Sequence, residues 1–363
     1  MSTQPDLLYS EEEEALRAAV RDMLGDHCDA AGVLARAETD APHDPELWKT
    51  LAEGMGLAGL LVPEELGGQG ATHREAAVVL EELGRAVAPV PYLTSAVVAT
   101  EALLECGDET LLGRLASGRT VGVLAVALHV APGAGHPAVR QVDGRLSGEL
   151  TGIADAAAAD VLLVPAQDGG LYAVDARAAT VTAQTSLDLT RPVATVTLDG
   201  TEGRRIGEAA PAVRRALRAA AGLLAAEQLG LADWALTETV GYLKERKQFN
   251  RQVGGFQALK HRLAQSWLEV VHLRAAARNA ADTLAQGGDD AEAELAVAVA
   301  QAYAGPVAVR AAEEALQLHG GIGMTWEHPV HLYLKRAKAD SIAYGTPGAH
   351  RAAVAELVGL QAP

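Results

Sequence analysis

Two segments in the carboxyl-terminal half combine residue types that could bind a charged or flat ligand. The first runs from Tyr242 to Gln257 and places Arg246, Gln248 and Phe249 where a predicted helix ends and a short loop begins. An arginine at a helix end, followed by the free backbone amides of the next helix, is typical of a phosphate site. The alternative is structural, with Arg246 capping the carbonyls of its own helix and Phe249 in the core. The segment alone favours this structural interpretation.

The second segment, Leu316–His328, contains Gln317 followed by Gly320, Gly321 and Gly323. Glycines let a backbone approach a ligand closely, although a helix that stops at this point explains the same pattern. A Gly-Gly-x-Gly run is therefore weak evidence of binding when it stands alone.

Several histidines near this segment raise the question of a metal ion: His319, His328, His331 and His350. They lack regular ligand spacing and form no His-x-x-x-His pair on a helix. We therefore predict no metal site.

The elements that must position these residues follow from hydrophobic periodicity. Residues 10–118 follow a helical pattern, and Ser10 before four glutamates predicts a helix N-cap. Strand-like runs follow, with a hairpin around Gln167–Gly170. The helical period returns at Pro211 and holds to the end of the chain. We predict an α+β fold of three domains: a helical domain at 1–118, an antiparallel β-domain at 119–205 and a helical bundle at 206–363.

Three finer expectations concern particular side chains and runs. The apolar run Val121–Val130 has the composition of one continuous strand. Trp234 and Trp267 lie in helical apolar stripes and are expected in the core. Asp188 and Arg191 are expected to form an ion pair that fixes their loop.

Composition excludes several classes of protein. The chain has 363 residues and a net charge of −17, with no basic tract, which argues against a nucleic-acid partner. No stretch approaches the roughly 20 uninterrupted apolar residues of a membrane helix. Cys28 and Cys106 are too few for a disulfide framework, and the first residues lack the pattern of a signal peptide. We expect a soluble, cytoplasmic protein that binds neither nucleic acid nor membrane.

Taken together and in this order, the two segments resemble the acyl-CoA dehydrogenase family. The more specific phrases are Arg246-x-Gln248-Phe249 and Gln317-x-x-Gly320-Gly321. The likeness runs from about Leu8 to Arg351 and implies an N-terminal helical domain, a middle antiparallel β-domain and a C-terminal four-helix bundle.

In this family FAD lies between the β-domain and the C-terminal helices and is shared between two subunits. By position, the resemblance assigns FAD contacts to eight residues, which are Arg246, Gln248, Phe249, Gln257, Gln317, Gly320, Gly321 and Thr346. Arg246 and Phe249 would meet the pyrophosphate and its surroundings. Gln317 and Gly321 would meet the adenosine side of a FAD held mainly by the neighbouring subunit.

The implied reaction is α,β-desaturation of an acyl-CoA thioester, with electron-transfer flavoprotein as the electron acceptor. A desolvated carboxylate removes the α-proton in this chemistry. The two positions that carry this base in the family hold Tyr344 and approximately Ala220. A methyl group cannot take a proton, and a phenol of pKa near 10 is a poor base at neutral pH. We therefore predict no catalytic residue in this chain.

Three hypotheses follow from the absence of a carboxylate at these two positions. In the leading one, the chain is a subunit of a heterotetramer that helps to bind FAD, while a second dehydrogenase-like subunit supplies the carboxylate. In the second, it is a self-sufficient dehydrogenase, as a homo-oligomer, whose base is Glu227, Glu327 or Asp340. In the third, it is a flavin-free structural or acyl-binding subunit.

Overall fold

The first helix begins as its sequence dictates. Ser10 Oγ accepts a hydrogen bond from the Glu13 N–H at 3.1 Å, and the Glu13 carboxylate accepts one from the Ser10 N–H at 2.6 Å. This reciprocal capping box confirms the predicted N-cap. The computed structural model describes residues 7–287 and 290–360.

Helices occupy the chain as far as Ala116. The α-helices of this part are α1 (Glu11–His27), α2 (Ala30–Ala37), α3 (Pro45–Lys49), α4 (His73–Ala86), α5 (Thr100–Cys106) and α6 (Glu109–Ala116). A π-helical segment, Tyr92–Ala99, leads directly into α5. These helices enclose a core of leucine, valine and alanine side chains.

Eight strands follow and form two small sheets. They are β1 (Gly122–Leu124), β2 (Arg140–Val142), β3 (Arg145–Ala154), β4 (Val161–Pro165), β5 (Gly170–Asp175), β6 (Thr180–Gln184), β7 (Val193–Glu202) and β8 (Arg204–Glu208). One sheet has the order β1-β4-β5-β8 and the other β2-β3-β7-β6. The predicted hairpin is confirmed as β4–β5, which pair antiparallel.

The expectation for Val121–Val130 is wrong in two ways. Only Gly122–Leu124 is a strand, and it pairs parallel with β4 rather than antiparallel. Most of the run that follows is buried in irregular structure, where Leu128 N–H donates to the Gly152 carbonyl. A short apolar run indicates that its residues are buried, but periodicity alone cannot assign the run to a sheet.

The carboxyl-terminal part is helical again, apart from one tiny hairpin. Its elements are α7 (Ala209–Glu245), β9 (Lys247–Gln248), β10 (Arg251–Gln252), α8 (Gln257–Gln286), α9 (Asp290–His319), α10 (Val330–Asp340) and α11 (Pro347–Leu357). The three long helices pack on one another, and α10 and α11 pack on α9. The α+β fold with a C-terminal bundle is confirmed, whereas the bounds 1–118, 119–205 and 206–363 stay predictions.

Trp267 does not lie in the core, contrary to expectation. Its side chain on α8 is 59% exposed, and the next residue, Leu268, is exposed as well. Trp234 is half-buried and stacks on Tyr333 with ring centroids 3.4 Å apart. The sequence of α8 therefore contains an apolar stripe, but no other element within residues 7–287 and 290–360 covers its outer face.

Helix α9 is long and apolar enough to cross a membrane by length and composition alone. Within its most apolar window, 61% of the residues are buried inside the protein. It packs against α7, α8, α10 and α11. Its apolar character is that of a core helix.

Candidate functional site

The two predicted binding segments meet at one end of the C-terminal bundle. The ring of Tyr242, near the end of α7, stacks on the ring of His319, the last residue of α9, with centroids 4.5 Å apart. The Arg246 N–H donates to the Tyr242 carbonyl at 2.8 Å. Residues 246–257 and 317–321 therefore present their loops on the same end of the molecule.

Phe249 lies in solvent, so the structural interpretation of this segment is wrong for that residue. Its side chain is 89% exposed. Phe249 and Asn250 form the two-residue turn between β9 and β10 and adopt φ values of 52° and 61°. Two consecutive positive φ values are the geometry of a tight hairpin turn, which directs both side chains away from the helices.

All eight residues to which the resemblance assigns FAD contacts are exposed: Arg246, Gln248, Phe249, Gln257, Gln317, Gly320, Gly321 and Thr346. Arg246 forms no ion pair with any residue in 7–287 or 290–360. A guanidinium that is exposed and uncommitted is available to an anion brought by a ligand or another subunit.

Thr346 lies apart from the other seven. Its Oγ1 accepts the Ala349 N–H at 3.2 Å and so caps α11. The first turn of α11 packs against Gly305, in the middle of α9, where an added Cβ would lie 3.4 Å from Pro347. Gln317 is about 18 Å further along α9 at a rise of 1.5 Å per residue. The structure therefore places Thr346 well away from the cluster at the bundle end.

Tyr344 fills one of the two positions where the family carries its base. The residue is buried, and burial raises the pKa of its hydroxyl. Its backbone N–H donates to the Leu128 carbonyl at 2.7 Å, and its carbonyl accepts a hydrogen bond from His350 Nε2 at 3.0 Å. The backbone of Tyr344 is thereby fixed on both sides of its buried ring.

The cavity beside Tyr344 is too small for a cofactor ring or an acyl chain. Its volume is about 10 Å³, which is room for one water molecule. It is lined by Thr94, Val98, Leu124, Val126, Leu128, Ala154, Leu217 and Tyr344. Ala220, one turn after Leu217, is fully buried. Neither of these two positions holds a carboxylate, and the cavity beside Tyr344 is closed, whereas a cavity of about 440 Å³ lies between residues 131–133, α7, α9 and α11.

A group of charged side chains is buried behind this cavity, and we call it the buried charge network. Its members are Asp188, Arg191, Glu227, Arg336 and Asp340, none more than 6% exposed. Arg191 binds Glu227 Oε2 and Asp340 Oδ1, each at 2.6 Å. Arg336 binds Asp188 and Glu227. The network joins the loop before β7 to α7 and α10.

The predicted ion pair between Asp188 and Arg191 is wrong. Asp188 pairs with Arg336, while Arg191 turns to α7 and α10. The Asp188 carboxylate also accepts hydrogen bonds from the Thr190 N–H and hydroxyl, at 2.9 and 2.6 Å. Nearness in sequence suggested the pair, but the loop directs the two side chains to different partners.

The surroundings of Asp340 favour the protonated form of its carboxyl group. Burial, together with the nearby Glu227 carboxylate, raises the pKa of Asp340 well above its ordinary value. The network contains three carboxyl groups and two guanidinium groups, so a proton on one carboxyl makes it neutral. Asp340 Oδ2 has no hydrogen-bond partner among the described residues, which leaves it as the oxygen that carries this proton.

None of the three carboxyl groups considered as an alternative base is placed to act as one. Glu227 is held between two guanidinium groups, and Asp340 is fully buried and bound to Arg191. Glu327 is exposed in the loop after α9, near the end of the bundle. The geometry therefore disfavours the self-sufficient enzyme.

The raised pKa of Asp340 predicts a specific pH dependence of stability. Because the folded pKa is raised above the unfolded value of about 3.9, the neutral form stabilises the fold, and this contribution is lost as pH rises through the folded pKa. Asp340→Asn stays uncharged at every pH. We expect it to unfold within about 1 kcal/mol of the wild type at about pH 4 and to be the more stable of the two at neutral pH and above, because the wild type loses this contribution progressively from about pH 4 upward. Urea denaturation across pH measures both, and a loss at neutral pH equal to that of a broken buried ion pair would contradict the assignment.

A second buried contact was not foreseen from the sequence. Asp155 accepts hydrogen bonds from His43 Nε2 at 2.8 Å and Thr94 Oγ1 at 2.7 Å. Burial alone would raise the pKa of Asp155, but the hydrogen bond from His43 outweighs it and holds the pKa below its ordinary value. This contact ties the N-terminal helices to the end of β3. No local spacing signals it, because the three residues come from separate segments.

Comparison with known proteins now gives the family. A family model described as acyl-CoA dehydrogenase, N-terminal domain, matches residues 10–119, and one described as acyl-CoA dehydrogenase, C-terminal domain, matches residues 210–359. The chain belongs to the acyl-CoA dehydrogenase family. It is 35% identical to acyl-CoA dehydrogenase IpdE2 of Mycolicibacterium smegmatis over 346 residues, which cover 93% of this chain and 96% of that protein.

Two solved structures of acyl-CoA dehydrogenases are similar over nearly the whole chain. The ChsE4-ChsE5 complex from Mycobacterium tuberculosis matches with a TM-score of 0.87 and 29% identity, covering 99% of this chain and 100% of that one. A variant of the Tcur3481-Tcur3483 steroid acyl-CoA dehydrogenase matches with a TM-score of 0.85 and 32% identity, covering 96% and 98%. Each of the two names joins two proteins.

Enzymes of this family are FAD-dependent flavoproteins. The nucleotide end of FAD fits the residues at the bundle end, because Arg246 offers an uncommitted charge and Gly320 and Gly321 offer bare backbone. The flavin ring does not fit beside Tyr344, where only about 10 Å³ is open.

Proposed function

We propose that this chain is a non-catalytic subunit of a heteromeric, FAD-dependent acyl-CoA dehydrogenase. The observation that carries the proposal is the closed space at Tyr344 and Ala220, which holds neither a base nor room for the flavin ring. A second acyl-CoA dehydrogenase-like subunit, in a heterotetramer, supplies the catalytic carboxylate. The paired subunits named in the two similar structures support this assembly.

The part of this chain in the reaction is to complete a cofactor site that lies mainly on the partner. Arg246 would meet the FAD pyrophosphate, and Gln248, Phe249 and Gln257 its surroundings. Gln317, Gly320 and Gly321 would lie along the adenosine. Thr346, placed elsewhere by the fold, is the weakest of the proposed contacts. FAD held there would supply the acceptor for the β-hydride of the acyl thioester, with electron-transfer flavoprotein as the proposed electron acceptor.

The substrate we propose is an acyl-CoA thioester with a fatty-acid or steroid-derived acyl group, processed in the cytoplasm. The similarity to a protein named a steroid acyl-CoA dehydrogenase favours the steroid-derived group. Because the inner cavity of this chain is closed, the acyl group would lie in the partner. Its size and shape would therefore be selected by the partner's residues.

The test is to purify the chain alone and together with an acyl-CoA dehydrogenase-like chain that carries a carboxylate at one of the two base positions. We expect the chain alone to be colourless and inactive, and the complex to be yellow, to retain FAD and to oxidise acyl-CoA. Stoichiometric FAD with turnover by the chain alone would overturn the proposal. A complex that forms without any flavin would instead support a purely structural or acyl-binding subunit.

Within the complex, Arg246→Gln tests the contribution of this chain to cofactor binding. Loss of one charge-assisted contact to a pyrophosphate is expected to weaken FAD retention by about tenfold or more. Lys247→Gln, an equally exposed neighbour in β9, is the matched control and is expected to retain FAD as the wild type does. Equal retention in the two variants would remove Arg246 from the cofactor site.

A further inference from the structure

Three side chains from separate elements converge beside the bundle end. They are Glu238 on α7, His319 at the end of α9 and His328 just before α10. One possible ligand atom from each lies within 4.8 Å of the other two. The sequence predicts no metal site here, because ligands from distant segments leave no spacing pattern.

His319 is buried with one ring nitrogen free to act as a ligand. Its side chain is 2% exposed, and its Nδ1 lies 2.7 Å from the Ala315 carbonyl, so Nδ1 carries the ring proton. Nε2 is then an unprotonated acceptor, and it has no hydrogen-bond partner among the described residues. A ring held through one nitrogen by a backbone carbonyl, with the other nitrogen free, is the usual arrangement of a metal-bound histidine.

The other two groups can reach the same point. Glu238 is exposed and makes no ion pair within the described chain, and His328 is half-buried in a loop, with its ring centroid 4.3 Å from that of His319. Ligands about 2.1 Å from a tetrahedral metal lie about 3.4 Å apart, so they must close by about an ångström. Binding through His328 Nε2 would move its proton to Nδ1 and displace a 3.3 Å contact from the Val330 N–H.

We propose that Glu238, His319 and His328 bind a divalent first-row transition metal, of the type that Zn²⁺ represents. Two imidazoles and a carboxylate suit such an ion, and water would complete the tetrahedron. The two histidines flank residues 320–327, so the bound ion would fix both ends of this glycine-containing loop to α7. The proposal stands on this chain alone and does not depend on FAD or on a partner subunit.

The test uses Zn²⁺ itself with the tag-free, chelator-stripped full-length chain. We expect isothermal titration and elemental analysis after dialysis to give one Zn²⁺ per chain. His328→Asn and Glu238→Gln are expected to lower the affinity by at least about tenfold each. His261→Asn and Glu245→Gln, exposed residues outside the cluster, are the matched controls and are expected to bind as the wild type does.

Folding is checked independently of metal by far-ultraviolet circular dichroism of each variant. The replaced residues are exposed or half-buried, so both variants are expected to retain the wild-type spectrum. Substitution by Co²⁺ adds a second readout, since its visible absorption reports nitrogen and oxygen ligands in a tetrahedron. Binding well below one ion per chain, or wild-type affinity in His328→Asn, would overturn the site.

Discussion

Arg336→Met is expected to lower the free energy of unfolding by about 3–5 kcal/mol, the cost of breaking a buried ion pair from one side. Arg336 is 2% exposed and binds Asp188 and Glu227, and it donates a further hydrogen bond to Thr190 at 2.6 Å. Methionine matches the length of the arginine stem but leaves two carboxylates sharing a single guanidinium in an apolar interior. Urea denaturation at neutral pH measures the loss.

The control is a substitution of the same kind at the surface. Arg310 pairs with Glu269 on α8 and is about half exposed, so Arg310→Met is expected to cost less than about 1 kcal/mol. Similar losses in the two variants would mean that the buried charge network contributes no more than a surface ion pair. The double variant Arg336→Met with Asp188→Leu is expected to recover part of the loss, because it removes one stranded charge.

Gly230→Ala is expected to destabilise the protein by about 3 kcal/mol or more, because α4 and α7 cross with no space for a side chain. A Cβ added at Gly230 would lie 1.9 Å from the Glu81 carbonyl oxygen, and one added at Gly84 would lie 2.2 Å from the Glu227 carbonyl oxygen. Neither neighbour can yield, since both are backbone atoms of helices. Differential scanning calorimetry is expected to show a clear fall in Tm.

The same helix offers the control for this prediction. An added Cβ at Gly241, in the last turns of α7, would meet nothing within 4 Å. Gly241→Ala is therefore expected to raise stability by up to about 1 kcal/mol through helix propensity alone. If Gly230→Ala behaved in the same way, the close crossing of α4 and α7 would not exist in solution.

The order of helices and strands could be predicted because it depends on local patterns. Ser10, the β4–β5 hairpin and the long C-terminal helices each carry their signal within a few residues. The prediction of one strand at Val121–Val130 was wrong because an apolar run indicates that a segment is buried but not whether it pairs with another strand. The prediction for Trp267 was wrong because an apolar stripe suggests that a helix face is covered, whereas this side chain is 59% exposed.

The same distinction between local and tertiary signals applies to the candidate site. The exposed loops around Arg246 and Gln317 follow helix ends and could be placed from sequence alone. The partners of Asp188 and Arg191 could not, because each lies on a helix more than thirty residues away along the chain. The tertiary structure determines which groups a buried charge pairs with, so no short sequence pattern can predict the pair.

The contacts that join the parts of the molecule have a consequence for cooperativity. The buried charge network links the β-domain to the C-terminal helices, His43 and Asp155 link the N-terminal helices to the β-domain, and α4 meets α7 at two glycines. Detaching any one part would expose unpaired charges in the others. We therefore expect the three parts to lose their structure together, in one transition, rather than one domain at a time.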